Sequence, residues 1–111
     1  MAWLLRSGEV LASAELATSR RDRRRGLLGR VGIDGALLIE PARSVHTVGM
    51  RFPIDVAYCR RCGEDLEVVG TVTMPPWRVG MPRLRSGCVI EAQQGAFERW
   101  GLAPGDLLQV K

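Results

Sequence analysis

The chain of 111 residues is long enough for one hydrophobic core and too short for two. Its 46% apolar and 25% charged residues exclude a disordered or fibrous protein, and no apolar run approaches the roughly 18 residues of a membrane-spanning helix. A net charge of +4, carried by fifteen Arg and one Lys, permits an acidic partner without specifying one.

The first five residues are followed at once by Arg6, Gly8 and Glu9, so they do not read as a secretory signal, and a cytoplasmic location is expected. Residues 3–5 and 10–16 are short apolar or alternating runs around Ser7-Gly8, the pattern of a β-hairpin. Thr18 or Ser19 then offers an N-cap, Asp22 lies where a helix dipole favours an anion, and Gly26 and Gly29 mark the far end. This predicts a short basic helix over 20–28. Five strand patterns follow, at 36–40, 44–48, 54–58, 66–73 and 88–92. A second helix is expected over 94–100, with Phe97 and Trp100 on one face and Gly101 at its C′ position, and a closing strand over 107–110. The connections are mostly too short for crossover helices, so antiparallel pairing is expected. The fold class is mainly β: an antiparallel sandwich or barrel-like domain with two short helices. Residues 74–85, with three prolines, form the one long segment without a strand pattern.

Cys59-Arg60-Arg61-Cys62-Gly63 has half the spacing of a zinc site, but only Cys88 and His46 remain as further ligands. No metal, no disulfide and no cofactor is therefore expected. The run Arg20-Arg21-Asp22-Arg23-Arg24-Arg25 has no interleaved aromatics, so it reads as a solvated helix face and nucleic acid is not expected. His46 is the only histidine. Asp55 and Glu91 lie in apolar strands, where a carboxylate must be paired to be tolerated. No phosphate loop, nucleophile elbow or His-Glu-x-x-His run is present.

Five ordered blocks carry a family resemblance: Arg25-Gly26-Leu27-Leu28-Gly29-Arg30, Gly35-Ala36-Leu37-Leu38-Ile39, Pro53-Ile54-Asp55-Val56-Ala57-Tyr58, Val89-Ile90-Glu91-Ala92 and Gly101-Leu102-Ala103-Pro104-Gly105-Asp106. Together they resemble domain-of-unknown-function family 192. The chain departs from the family's commoner Trp-Met-Lys-Asn-Thr run, carrying His46-Thr47-Val48-Gly49-Met50 instead. Chemistry belonging to that lysine and asparagine therefore does not transfer to Val48 and Gly49. The family match falls on Arg25, an acid is usual at the positions of Asp55 and Glu91, and the resemblance implies that residues 59–63 form an ordinary hairpin tip.

The expected function is a non-catalytic module that binds a small polar ligand or a protein, with Arg25, His46, Thr47, Asp55 and Glu91 lining or buttressing one concave face. Arg25 and Asp55 are expected to be partly buried, paired with each other or with backbone groups, beside His46. One alternative is an enzyme using His46 as general base. Another is an adaptor acting through residues 74–84, exposing Met74, Trp77 and Met81. The sequence leaves the oligomeric state open.

Overall fold

Seven strands close into one barrel in the computed structural model, which describes residues 2–111. β1 (Ala2–Arg6) and β2 (Glu9–Ala17) form the opening hairpin. Its turn residues, Ser7 and Gly8, both take positive φ, as a two-residue turn matched to strand twist requires. α1 (Arg20–Arg25), β3 (Ala36–Ile39), β4 (Ile54–Cys62), β5 (Asp65–Met74), β6 (Cys88–Gln93), α2 (Ala96–Trp100) and β7 (Leu107–Val110) follow. Around the wall the order is β1-β2-β3-β6-β4-β5-β7, and β1 pairs with β7 to complete the ring. Mainly β content with two short helices agrees with the expectation, and the architecture is the barrel of the two left open.

Three local expectations are corrected. β2 and β3 pair in parallel, from Ala14 opposite Ala36 to Ala17 opposite Ile39, while every other pair around the ring is antiparallel. Residues 18–35, with α1, are long enough to return the chain to the starting end before β3 begins. α1 stops at Arg25 because Gly26 leaves the helical region at φ 50° and ψ −127°. Residues 44–48 form no strand and make a single bridge, His46 to Val79, since a closed ring offers them no free edge.

The alternation along each strand divides the apolar residues into two cores. One draws on all seven strands, including Leu4, Ala14, Leu38, Ala57, Leu66, Ile90 and Leu108, and fills the barrel. α2 closes one end by adding Phe97, whose ring packs against Trp100 at 5.8 Å. The other core lies outside the wall, where Leu37, Ile39, Val56, Tyr58 and Val89 are covered by Leu27, Val45, Met50 and Phe52. β3 is therefore buried on both faces, which is why residues 36–39 form an unbroken apolar run rather than an alternating one. Segment 75–87 is tied to 43–47 by backbone bonds from Thr47 N to Arg78 O (2.8 Å) and from Gly80 N to Val45 O (2.8 Å). No helix among the described residues is long and apolar enough to cross a membrane.

Candidate functional site

On the outer face of β6 the apolar pattern is interrupted by a carboxyl. Glu91 alternates with the inward-facing Ile90 and Ala92, so its side chain emerges on the outer face of β6, in register with Leu37 of β3 and Val56 of β4. It is 4% exposed, and its Oε1 has no hydrogen-bond partner among the described residues. Burial pushes the carboxyl up to about 7, because the charged form loses its water there.

What lies above this carboxyl is set by the end of α1. Ser19 caps the helix by accepting from Asp22 N at 3.0 Å, and Gly26 N–H donates back to Asp22 O at 2.9 Å. A Cβ on Gly26 would stand 3.4 Å from Glu91 Oε1 and 3.8 Å from Ile39 Cδ1. Glycine thus provides the positive φ and sets no side chain between the helix end and the carboxyl. Above it is a cavity of about 600 Å³ bounded by α1, residues 41–50 and Glu91. Leu27, Ile39, Val45 and Met50 form its apolar wall, and Arg20, Arg23, Arg24, Arg25, Arg43 and His46 supply its basic side.

Arg23 is the most constrained of these arginines. It is half-buried, its Nη1 donates to Pro41 O at 3.2 Å, and its Nε is buried without a partner. Among the described residues, Arg23 Nε and Glu91 Oε1 are the buried side-chain polar atoms left unbonded, and both residues line this cavity. Sequence reasoning missed Arg23, and no spacing marks it out, because its position depends on the carbonyl of Pro41, eighteen residues away.

The residues singled out in the sequence are divided between places. Arg25, His46 and Glu91 line the same cavity, Arg25 and His46 as exposed rim residues. Arg25 is thus not partly buried as expected. Thr47 is fully buried outside the cavity, where its hydroxyl donates to Pro75 O at 2.6 Å and accepts from Arg78 N at 2.9 Å, fixing the covering segment. Asp55 is buried too, but it accepts from Thr73 Oγ1 (2.9 Å), Gly95 N (3.0 Å) and Phe97 N (3.1 Å). It lines a separate cavity of about 390 Å³ beside α2. Of the two pairings expected, Asp55 makes the one with backbone groups and not the one with Arg25: it shares the inward side of β4 with Ala57 and Cys59, opposite in sense to Glu91 on the outer face.

Two further expectations change. Met74 is buried at the end of β5, whereas Trp77, Val79, Met81 and Leu84 are exposed. Cys59 is buried inside the barrel opposite Cys88, while Cys62 is exposed beside the hairpin turn, so Cys59 and Cys62 do not share one exposed tip. A hydrogen bond to Cys88 and burial push the Cys59 thiol above its ordinary value.

Two solved structures share this fold. A protein of unknown function from Novosphingobium aromaticivorans superimposes with a TM-score of 0.76 at 16% identity, over 97% of this chain and 82% of that one. A "putative transcription regulator" from Sinorhizobium meliloti gives 0.77 at 20% identity, over 98% and 91%. At such identities the likeness is one of fold. No curated protein matches the chain. The five sequence blocks lie within a match to one family model over residues 3–110, and the chain belongs to that family, DUF192, described as an uncharacterized ACR.

Proposed function

We propose that this protein is a non-catalytic binding module for a small polar ligand, held in the cavity between α1 and Glu91. The observation that carries the reading is the buried, unbonded Glu91 carboxyl beneath Gly26. A carboxyl kept without a partner costs stability, so its retention in an apolar wall calls for a role beyond packing. The cavity size falls within the range of small-molecule sites, and its apolar wall with a few converging polar groups is their usual composition. His46, as an exposed rim group, fits contact with a ligand's outer end.

Proton–nitrogen correlation spectra of the full chain, recorded against a chemically diverse panel of small polar compounds, test this reading. Saturable shifts are expected at Gly26, Leu27, Ile39 and Glu91, and Gly26→Ala should abolish them by placing a methyl group over the carboxyl. A panel that leaves these signals unmoved, or moves only those of Asp55 and α2, would overturn it.

A second reading, docking of a protein partner, is favoured by the exposed side chains Trp77, Val79, Met81 and Leu84 on segment 75–87. Shifts confined to that segment on adding a partner would select it.

A further inference from the structure

The ligand's chemical class follows from which groups in the cavity lack partners, and this inference rests on the binding reading above. Five arginines and a histidine stand on one side, and among the described residues Glu91 is the only acid lining the space. A cationic ligand would have to pass the guanidinium groups, so a negative group facing α1 is favoured. Arg23 is the arginine positioned to take it: Pro41 O holds the guanidinium at the cavity wall through Nη1, and no carboxylate among the described residues pairs with it. The opposite wall, Leu27, Ile39, Val45 and Met50, is apolar and suits a hydrocarbon body.

Glu91 specifies the remaining group. A second ligand carboxylate there would meet a carboxyl buried among Leu37, Ile39 and Val56, where paired negative charge is costly. A hydroxyl both donates and accepts, so it complements Glu91 whether that carboxyl carries its proton or not.

We infer that the cavity takes a small hydroxylated organic acid: its carboxylate bonds to Arg23, its hydroxyl to Glu91, and its apolar body lies against Leu27, Ile39, Val45 and Met50. Both residues line the one cavity, so a single molecule within it meets both side chains. Gly26 is the residue that lets the hydroxyl reach the carboxyl.

Matched probes separate the parts of this inference. Para-hydroxybenzoate is titrated into the full chain while the amide signals of Gly26, Leu27, Ile39 and Glu91 are followed. Its neutral analogue para-hydroxybenzyl alcohol, its cationic analogue para-hydroxybenzylamine, and benzoate, which lacks the hydroxyl, are titrated in parallel. The hydroxy acid is expected to saturate these signals. Loss of the charge or of the hydroxyl should each weaken binding about tenfold, and the amine should leave the signals in place. Arg23→Gln should remove the preference for the acid over the alcohol, and Arg21→Gln, on the same helix outside the cavity, should preserve it. Equal binding of acid and alcohol at these signals would overturn the acid assignment while leaving a binding module in place. Equal binding of hydroxybenzoate and benzoate would overturn the role of Glu91. Silence from all four probes would overturn the hydroxy-acid class, and the diverse panel then decides separately whether the cavity binds anything. An acid preference that survives Arg23→Gln but is lost in Arg21→Gln would reduce it to the general charge of α1 and overturn the site.

Discussion

Replacing Glu91 with glutamine should stabilise the protein, by an amount that depends on pH. Folding moves the carboxyl from 4.5 to about 7. At about 1.4 kcal/mol for each pH unit, its ionisation costs the folded state about 3 kcal/mol. The direction follows from proton counting. Between about pH 4.5 and 7 the folded protein keeps a proton that the unfolded chain has released, so its stability falls as pH rises through this window and levels off above it. Glutamine has a similar shape and no proton to lose. Its advantage should be near zero at the acid end of the window and about 3 kcal/mol at the alkaline end. Glu15 and Glu40 act in the opposite sense at lower pH, because hydrogen bonds from Arg30 and Arg61 hold their carboxyls below the ordinary range. They are present in both proteins and cancel in the comparison. Urea unfolding of the two proteins, followed by tryptophan fluorescence at a series of pH values, measures the difference. A difference that stays constant with pH, or a variant that is weaker at the alkaline end, would refute the burial of a titrating Glu91.

Two other substitutions probe the barrel itself. Asp55→Ala should cost about 3 kcal/mol in urea unfolding, because it leaves the N–H groups of Gly95 and Phe97 without their acceptor, and a loss below about 1 kcal/mol would place those bonds in solvent. Gly35→Ala should cost about 2 kcal/mol or more by thermal unfolding, since its Cβ would collide with the Ser13 backbone carbonyl across the approach to the parallel pair, and an unchanged melting temperature would mean that the β2–β3 seam is looser than described.

Most of the barrel was legible because its strands carry their pattern locally. Ser7-Gly8 marks a hairpin, and Gly101 ends α2 in the left-handed conformation that a glycine C′ residue predicts. The apolar 44–48 run misled because Val45 and Thr47 are indeed buried, yet against the outside of the wall rather than within it. Composition cannot separate these two kinds of burial. The parallel pair was missed for a related reason: strand direction depends on where 18–35 delivers the chain, and no residue encodes that alone.

The candidate site was less legible. Glu91 could be singled out as a carboxylate in an apolar strand, and Asp55 by the same argument, but only register shows that adjacent strands send them to opposite faces. One carboxyl finds three donors and becomes part of the frame, while the other finds none. Arg25 drew attention through the family pattern, whereas Arg23 is the arginine immobilised by Pro41.

The pairing of β1 with β7 brings the ends of the described chain side by side: Trp3 and Lys111 exchange both backbone hydrogen bonds, at 2.7 and 3.0 Å. During synthesis the first strand therefore emerges long before its second neighbour exists. One edge of β1 stays open on the ribosome until residues 107–110 leave the exit tunnel, and the ring can close only then. The same geometry makes this seam a natural place to join the ends by a short linker and open the chain elsewhere, for instance at the exposed Gly63-Glu64 turn between β4 and β5. Such a circular permutant would form β1 and β7 as consecutive strands, replacing the pairing of greatest sequence separation with a local hairpin.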